Sequence, residues 1–257
     1  MLSVLGDLCG QLVLTSIFLF VVAALGGALN SVAGGGSFLT LPSLIYAGVT
    51  PVAANATSTL AMWPGSVSSA FAYRREITTT KTPLFLLGGV SLVGGLLGAL
   101  LLVRTSDTSF LRLLPWLMLV AAATFTFGGR FASTSGGSSR TSFAVVVILQ
   151  FVISIYGGYF GGGMGIMMLA TYALAGMTDI HEMNGLKAVL GSAINGLALV
   201  SFILKGIVAW GPGVVMIAGG ILGGYFGAAF ARGIDAKWVR AFVIVIGWGM
   251  TAYFFVR

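Results

Sequence analysis

The sequence predicts an all-α integral membrane protein made of two homologous repeats, each with about four transmembrane helices and a broken or re-entrant half-helix. Three observations carry that prediction. The chain is 58% hydrophobic and only 7% charged, with a mean hydropathy of +1.05, whereas soluble domains carry about a quarter charged residues. Apolar runs of about 20 residues, the length that crosses an ~30 Å hydrocarbon core, recur along the whole chain. A glycine triplet occurs twice in matching surroundings, as Gly34-Gly35-Gly36 and Gly161-Gly162-Gly163. Each follows such a run, where a spanning helix is expected to break.

In chain order, the expected spans are 11–33, 54–73, 82–103, 110–128, 142–160, 184–204, 208–231 and 238–256. The first has no basic residues ahead of it and carries Asp7 nearby, so it reads as a retained helix rather than a cleaved signal. The single cysteine, Cys9, can form neither an internal disulfide nor a metal cluster. Two shorter apolar pieces, 37–48 and 164–177, follow the triplets directly. Twelve helical residues reach only ~18 Å, too little to cross, so these are expected to be half-helices or re-entrant segments. Each ends at a turn, Gly48-Val49-Thr50-Pro51 or Gly176-Met177-Thr178-Asp179.

The two halves match beyond their glycines. Asn55 pairs with Asn184, Pro83 with Pro212, Gly94-Gly95 with Gly223-Gly224, Gly98-Ala99 with Gly227-Ala228, and Arg104 and Asp107 with Arg232 and Asp235. The offset is 127 at the triplets, 129 from Asn184 onward and 128 at the arginines. The first repeat is therefore placed at 1–130, a Gly/Ser linker at 131–141 and the second repeat at 142–257. Inverted repeats would gather Arg74, Arg75, Lys81, Arg130, Arg140, Arg232, Lys237 and Arg240 on one side against four basic residues on the other, while parallel repeats would split them seven to five. The positive-inside bias favours inversion and puts the linker in the cytoplasm.

Broken helices point to function. In hydrocarbon, irregular backbone persists only where it is buried in protein or lines a wet cavity, because each unpaired N–H or C=O costs several kcal/mol. Breaks in corresponding places of two repeats therefore mark the expected substrate site. A helix starts after each triplet, so Ser37 and Phe38, and Met164 and Gly165, are expected to offer free N–H groups at the positive end of a helix dipole. An oxyanion suits such a site better than a cation.

Candidate substrate-binding residues in the first half are Gly34, Gly35, Gly36, Ser37, Asn55, Thr57 and Ser58. In the second they are Gly161, Gly162, Gly163, Asn184 and Lys187. Lys187 shares a helical face with Asn184, Gly191 and Asn195 and is the candidate positive charge, with snorkelling to headgroups as the alternative. For the asparagines the alternative is helix capping or interhelical bonding. Gly94, Gly98, Gly223 and Gly227 are expected to seat close helix crossings. Asp179, His181 and Glu182 could relay protons, which makes protons a candidate coupling ion, or could simply form an acidic helix start.

No nucleophile and base constellation, metal set or cofactor motif is evident. His181-Glu182 lacks the second histidine of a zinc-protease helix, which removes that enzyme reading. The net charge of +7 fits anionic lipid headgroups, and nothing suggests nucleic acid. An anion channel would share every feature of a carrier. A non-transporting scaffold or accessory subunit would instead pack the breaks dry.

At the triplets a family resemblance emerges. Asn30-Ser31-Val32-Ala33-Gly34-Gly35-Gly36-Ser37-Phe38-Leu39-Thr40-Leu41-Pro42, followed by Pro51-Val52-Ala53-Ala54-Asn55-Ala56-Thr57-Ser58, resembles the first-half signature of the sulfite exporter TauE/SafE family of membrane permeases. Gly157-Gly158-Tyr159-Phe160-Gly161-Gly162-Gly163-Met164-Gly165 resembles its second-half signature, so the likeness covers nearly the whole chain. The resemblance implies secondary transport of sulfite, sulfonates, thiosulfate or sulfoacetate across a prokaryotic cytoplasmic membrane. The second half departs from the first by placing Met164 where Ser37 stands, which leaves Lys187 to supply the missing attraction.

Overall fold

The computed structural model describes residues 2–32, 34–72, 84–134, 142–230 and 236–256, and these form ten α-helices with no strand among them. Each long expected span falls on one helix: α1 (Leu2–Val32), α3 (Pro51–Ala72), α4 (Leu84–Arg104), α5 (Asp107–Thr134), α6 (Phe143–Tyr159), α8 (Ile180–Leu204), α9 (Trp210–Phe230) and α10 (Ala236–Val256). The two short pieces are α2 (Ser37–Tyr46) and α7 (Met164–Leu174). Helix α8 begins at Ile180, ahead of the expected 184, because Asp179 caps it by accepting the amides of His181 (2.8 Å) and Glu182 (3.4 Å). Linker residues 135–141, the basic residues Arg74, Arg75, Lys81, Arg140 and Arg232, and the surroundings of Arg130, Gly227, Lys237 and Arg240 lie outside the described part.

Among the described residues, four helices are long and apolar enough to cross a membrane: Gly10–Asn30, Leu84–Arg104, Asp107–Phe127 and Ile180–Leu204. Large apolar side chains such as Leu14, Phe85, Ile148 and Val245 stand exposed on the periphery. In water they would be a liability, whereas against lipid tails they are matched.

Helix α2 folds back along α1, with Phe18 against Tyr46 (6.0 Å between rings) and Gly26 beside Gly36. In the same way α7 folds back along α6, with Gly157 against Met164 and Tyr172 hydrogen-bonded to Gln150 (3.3 Å). The most extensive pairings cross between halves, α1 with α9 and α6 with α4. Glycine permits both. A side chain at Gly223 would collide with the backbone of Ala24, and one at Gly98 with the carbonyl of Ile155. At the centre α3 meets α8, where Trp63 Nε1 donates to the carbonyl of Ser192 (3.0 Å).

The turns between α2 and α3, between α4 and α5, and between α8 and α9 together line one open cavity, so all three lie at the same end of the bundle. Helices α3, α5 and α9 therefore leave that end, while α4 and α8 arrive at it.

Candidate functional site: two glycine breaks

Both breaks begin with a left-handed glycine, Gly34 (φ 79°) closing α1 and Gly161 (φ 81°) closing α6. The Gly34 amide turns back to the carbonyls of Leu29 and Asn30 (3.2 Å each), and the Gly161 amide to that of Tyr156 (3.3 Å). A residue with a Cβ would be strained there, so glycine ends the helix cleanly. Within two residues the next helix starts, and its amides divide into two groups. Phe38 donates to Gly35 O (3.2 Å) and Met164 to Gly161 O (3.4 Å), so these two are turned into the loops rather than free as expected. Six others, those of Gly35, Gly36, Ser37, Gly162, Gly163 and Gly165, have no hydrogen-bond partner among the described residues. Gly35, Gly36, Gly162 and Gly163 are buried, and Ser37 and Gly165 partly so. A buried amide left unpaired costs about 1–3 kcal/mol, so these six are the donors at the breaks that stand open to an acceptor.

One side chain sits between the two breaks. Phe125 of α5 is fully buried, and a Cβ built on Gly35 would stand 3.4 Å from its ring while one on Gly163 would stand 3.6 Å from it. Phe38 meets the same ring edge-on at 5.8 Å. Tyr156 braces the second break, its hydroxyl lying 2.7 Å from Gly162 O and 3.1 Å from Leu117 O.

Ser37 opens α2 half-buried. Asn55, Thr57 and Ser58 are buried and engaged in the scaffold. Asn55 Nδ2 donates to Tyr159 O (2.9 Å), Thr57 Oγ1 accepts the amide of Ala209 (3.0 Å), and Ser58 pairs with Thr40 (2.6 Å). Lys187 reaches the second break: its stem passes 3.1 Å from where a Cβ on Gly165 would stand, and its ammonium donates to Asn184 Oδ1 at 2.8 Å. Asn195, on the same face of α8, places Oδ1 3.7 Å from a Cβ built on Gly161. Asp179 and His181 are exposed at the start of α8, with Glu182 half-buried beside them. Sequence reasoning did not single out Phe125, Tyr156 or Tyr159. A signal was present for the tyrosines, which are polar aromatics in an otherwise apolar run just ahead of a break.

Comparison with known proteins decides the family. The family model described as "Sulfite exporter TauE/SafE" matches residues 19–254, which include both breaks. The chain belongs to the TauE/SafE sulfite exporter family. A probable membrane transporter protein of a Sinorhizobium species is 29% identical over 231 residues, 89% of this chain and 88% of the relative. The probable membrane transporter protein YfcA of Escherichia coli is 29% identical over 238 residues, covering 91% and 87%. A probable membrane transporter protein of Haemophilus influenzae is 27% identical over 235 residues, covering 91% and 92%. No solved structure gave a significant match. Membership of this family and the apolar helices together make the chain a multi-pass membrane transporter.

Proposed function

We propose that this protein is a secondary transporter of small sulfur-containing oxyanions, of the sulfite, sulfonate, thiosulfate or sulfoacetate type, working by alternating access in a prokaryotic inner membrane. The six partnerless amides at the two breaks carry the reading, because an oxyanion supplies the acceptors they lack. Lys187 adds positive charge beside Gly165, and Ser37 adds a hydroxyl at the start of α2. A dry scaffold would leave the same amides unpaired in an apolar interior, which weighs against it.

The repeats are read as inverted, 1–130 and 142–257, with α2 and α7 as half-helices. Supporting this, α3 leaves the cavity end while its counterpart α8 arrives there, and α4 arrives where α9 leaves. Packing between halves also recurs with the roles exchanged, α1 on α9 and α4 on α6, α3 on α9 and α4 on α8. Such an arrangement lets one group of helices rock against the other about a fixed site. Protons are the proposed coupling ion. With Asp179 engaged as a cap, His181 and Glu182 are left as relay groups.

Proteoliposomes offered labelled sulfite, a sulfonate or sulfate in the external medium, with and without a pH gradient, test the proposal. Accumulation of sulfite or sulfonate driven by the gradient is expected. Vesicles that move none of these anions faster than empty ones would sink it, and unitary electrical currents would replace the carrier with a channel.

A further inference from the structure

The open cavity at the end where α3, α5 and α9 begin has a volume of about 580 Å³. Its lining comes from both halves, including Val52, Thr105, Ser106, Asp107 and Ala209. Two bonds hold its walls together: Asp107 Oδ1 accepts the amide of Val52 (2.9 Å), and Thr57 Oγ1 accepts that of Ala209 (3.0 Å). Asp107 sits in the first turn of α5 and takes its bond from the first turn of α3, so two helix N-termini offset its negative charge. The cavity thus sets Thr50, Thr105, Ser106 and Asp107 against a largely apolar wall, with its carboxylate engaged by a backbone amide.

Behind Thr105 stands Tyr159. Its hydroxyl donates to Thr105 Oγ1 (3.3 Å), its ring lies 5.9 Å from that of Phe110, and its carbonyl accepts from Asn55 Nδ2 (2.9 Å). The side chain is buried, and the left-handed Gly161 follows two residues later, beside Asn195. Tyr159 therefore stands between Thr105 of the open cavity's wall and the second glycine break. Its ring is buried, and its hydroxyl makes a single neutral hydrogen bond that can be released without leaving a charge unpaired.

We infer that this cavity is the solvent mouth of the anion path and that Tyr159 is the residue that closes it. The inference rests on the transporter reading for what passes through, whereas the seal can be read without any substrate. Cys9 is the only cysteine, so Cys9→Ser supplies a silent background. Into it go Ser106→Cys at the mouth, Asn195→Cys at the break and, as a folding control, Ala198→Cys in the buried core. A charged, membrane-impermeant thiol reagent is applied to both faces of the vesicles.

Rapid labelling at Ser106→Cys is expected throughout. Labelling at Asn195→Cys is expected to be slow with Tyr159 in place, about fivefold faster with Tyr159→Phe, and faster still with Tyr159→Ala. Ala198→Cys stays unlabelled in any folded variant. If it labels in the alanine variant, the comparison rests on Tyr159→Phe alone. An Asn195→Cys rate indifferent to Tyr159→Phe, or a shielded Ser106→Cys, overturns the inference. Sulfite flux by the Cys9→Ser parent is measured alongside, and a seal that opens in a protein moving no sulfite overturns the substrate and leaves the mouth standing.

Discussion

The two glycine breaks are built to one plan and finished differently. At the first, Gly36 is right-handed (φ −57°), and Met62 of α3 reaches over to it, its sulfur 2.9 Å from where a Cβ would stand. At the second, Gly163 is left-handed (φ 79°), and the methionine belongs to the half-helix itself: Met164 fills the space beside Gly157 and lies 3.5 Å from a Cβ built on Gly191. Positions 62 and 191 differ by 129 and positions 37 and 164 by 127, the offsets that relate the halves. A methionine paired with a small residue is therefore kept in both places, with the two partners exchanged. The exchange leaves Ser37 half-buried at the first break and buries Met164 at the second. Charge follows the opposite course. Ser58, bonded to Thr40, occupies the first-half position that Lys187 takes in the second. The polar ties of the half-helices differ as well. Gln150 joins Ser91 (2.8 Å) and Tyr172 (3.3 Å), linking α4, α6 and α7. Ala23 stands at the corresponding position of α1, fully buried in apolar packing. The proposed anion site is accordingly lopsided, with charge and rigid polar bracing on one side and a neutral hydroxyl on the other.

That asymmetry can be broken one side at a time. Lys187→Met keeps the apolar stem and removes the charge. Sulfite affinity in calorimetry is expected to fall about 10- to 100-fold, the worth of a charged hydrogen bond at ~1.5–3 kcal/mol. An unchanged Kd would make the two sides electrostatically equivalent. Gln150→Leu leaves Ser91 and Tyr172 facing an apolar group, and thermal unfolding in detergent should show a loss of about 1–3 kcal/mol. Stability equal to that of the parent would mean that the polar bracing of α7 does not distinguish it from α2. Ser37→Ala, the smallest change, is expected to weaken sulfite about 2- to 10-fold. A loss as deep as that from Lys187→Met would reverse the proposed inequality.

The long helices were legible because each is an apolar run of spanning length, and the short ones because a run that follows Gly-Gly-Gly and ends by 48 or 177 has no room to cross. The start of α8 was misjudged because a rule of apolarity skips Asp179, His181 and Glu182, whereas the backbone already turns at the aspartate cap. What could not be read were partners far apart in sequence. Asn55 and Thr57 look like free donors until the fold brings Tyr159 and Ala209 to them, 104 and 152 residues away. Gly98 and Gly223 were recognised as packing glycines from composition alone, yet nothing local says that each serves a helix of the other half. Phe125 carries no local mark at all, because its position between the breaks exists only after α5 has packed.

The bond from Trp63 to Ser192 joins residues 129 apart, which is the repeat offset itself in this part of the chain. A position that touches its own counterpart lies on the axis that would exchange the halves. In two separate half-length chains, the same contact would be made twice by identical surfaces, as in an isologous homodimer. Within a single chain that obligation is absent: tryptophan occupies one side of the contact and serine the other, so the two flanks of the membrane core need not be alike.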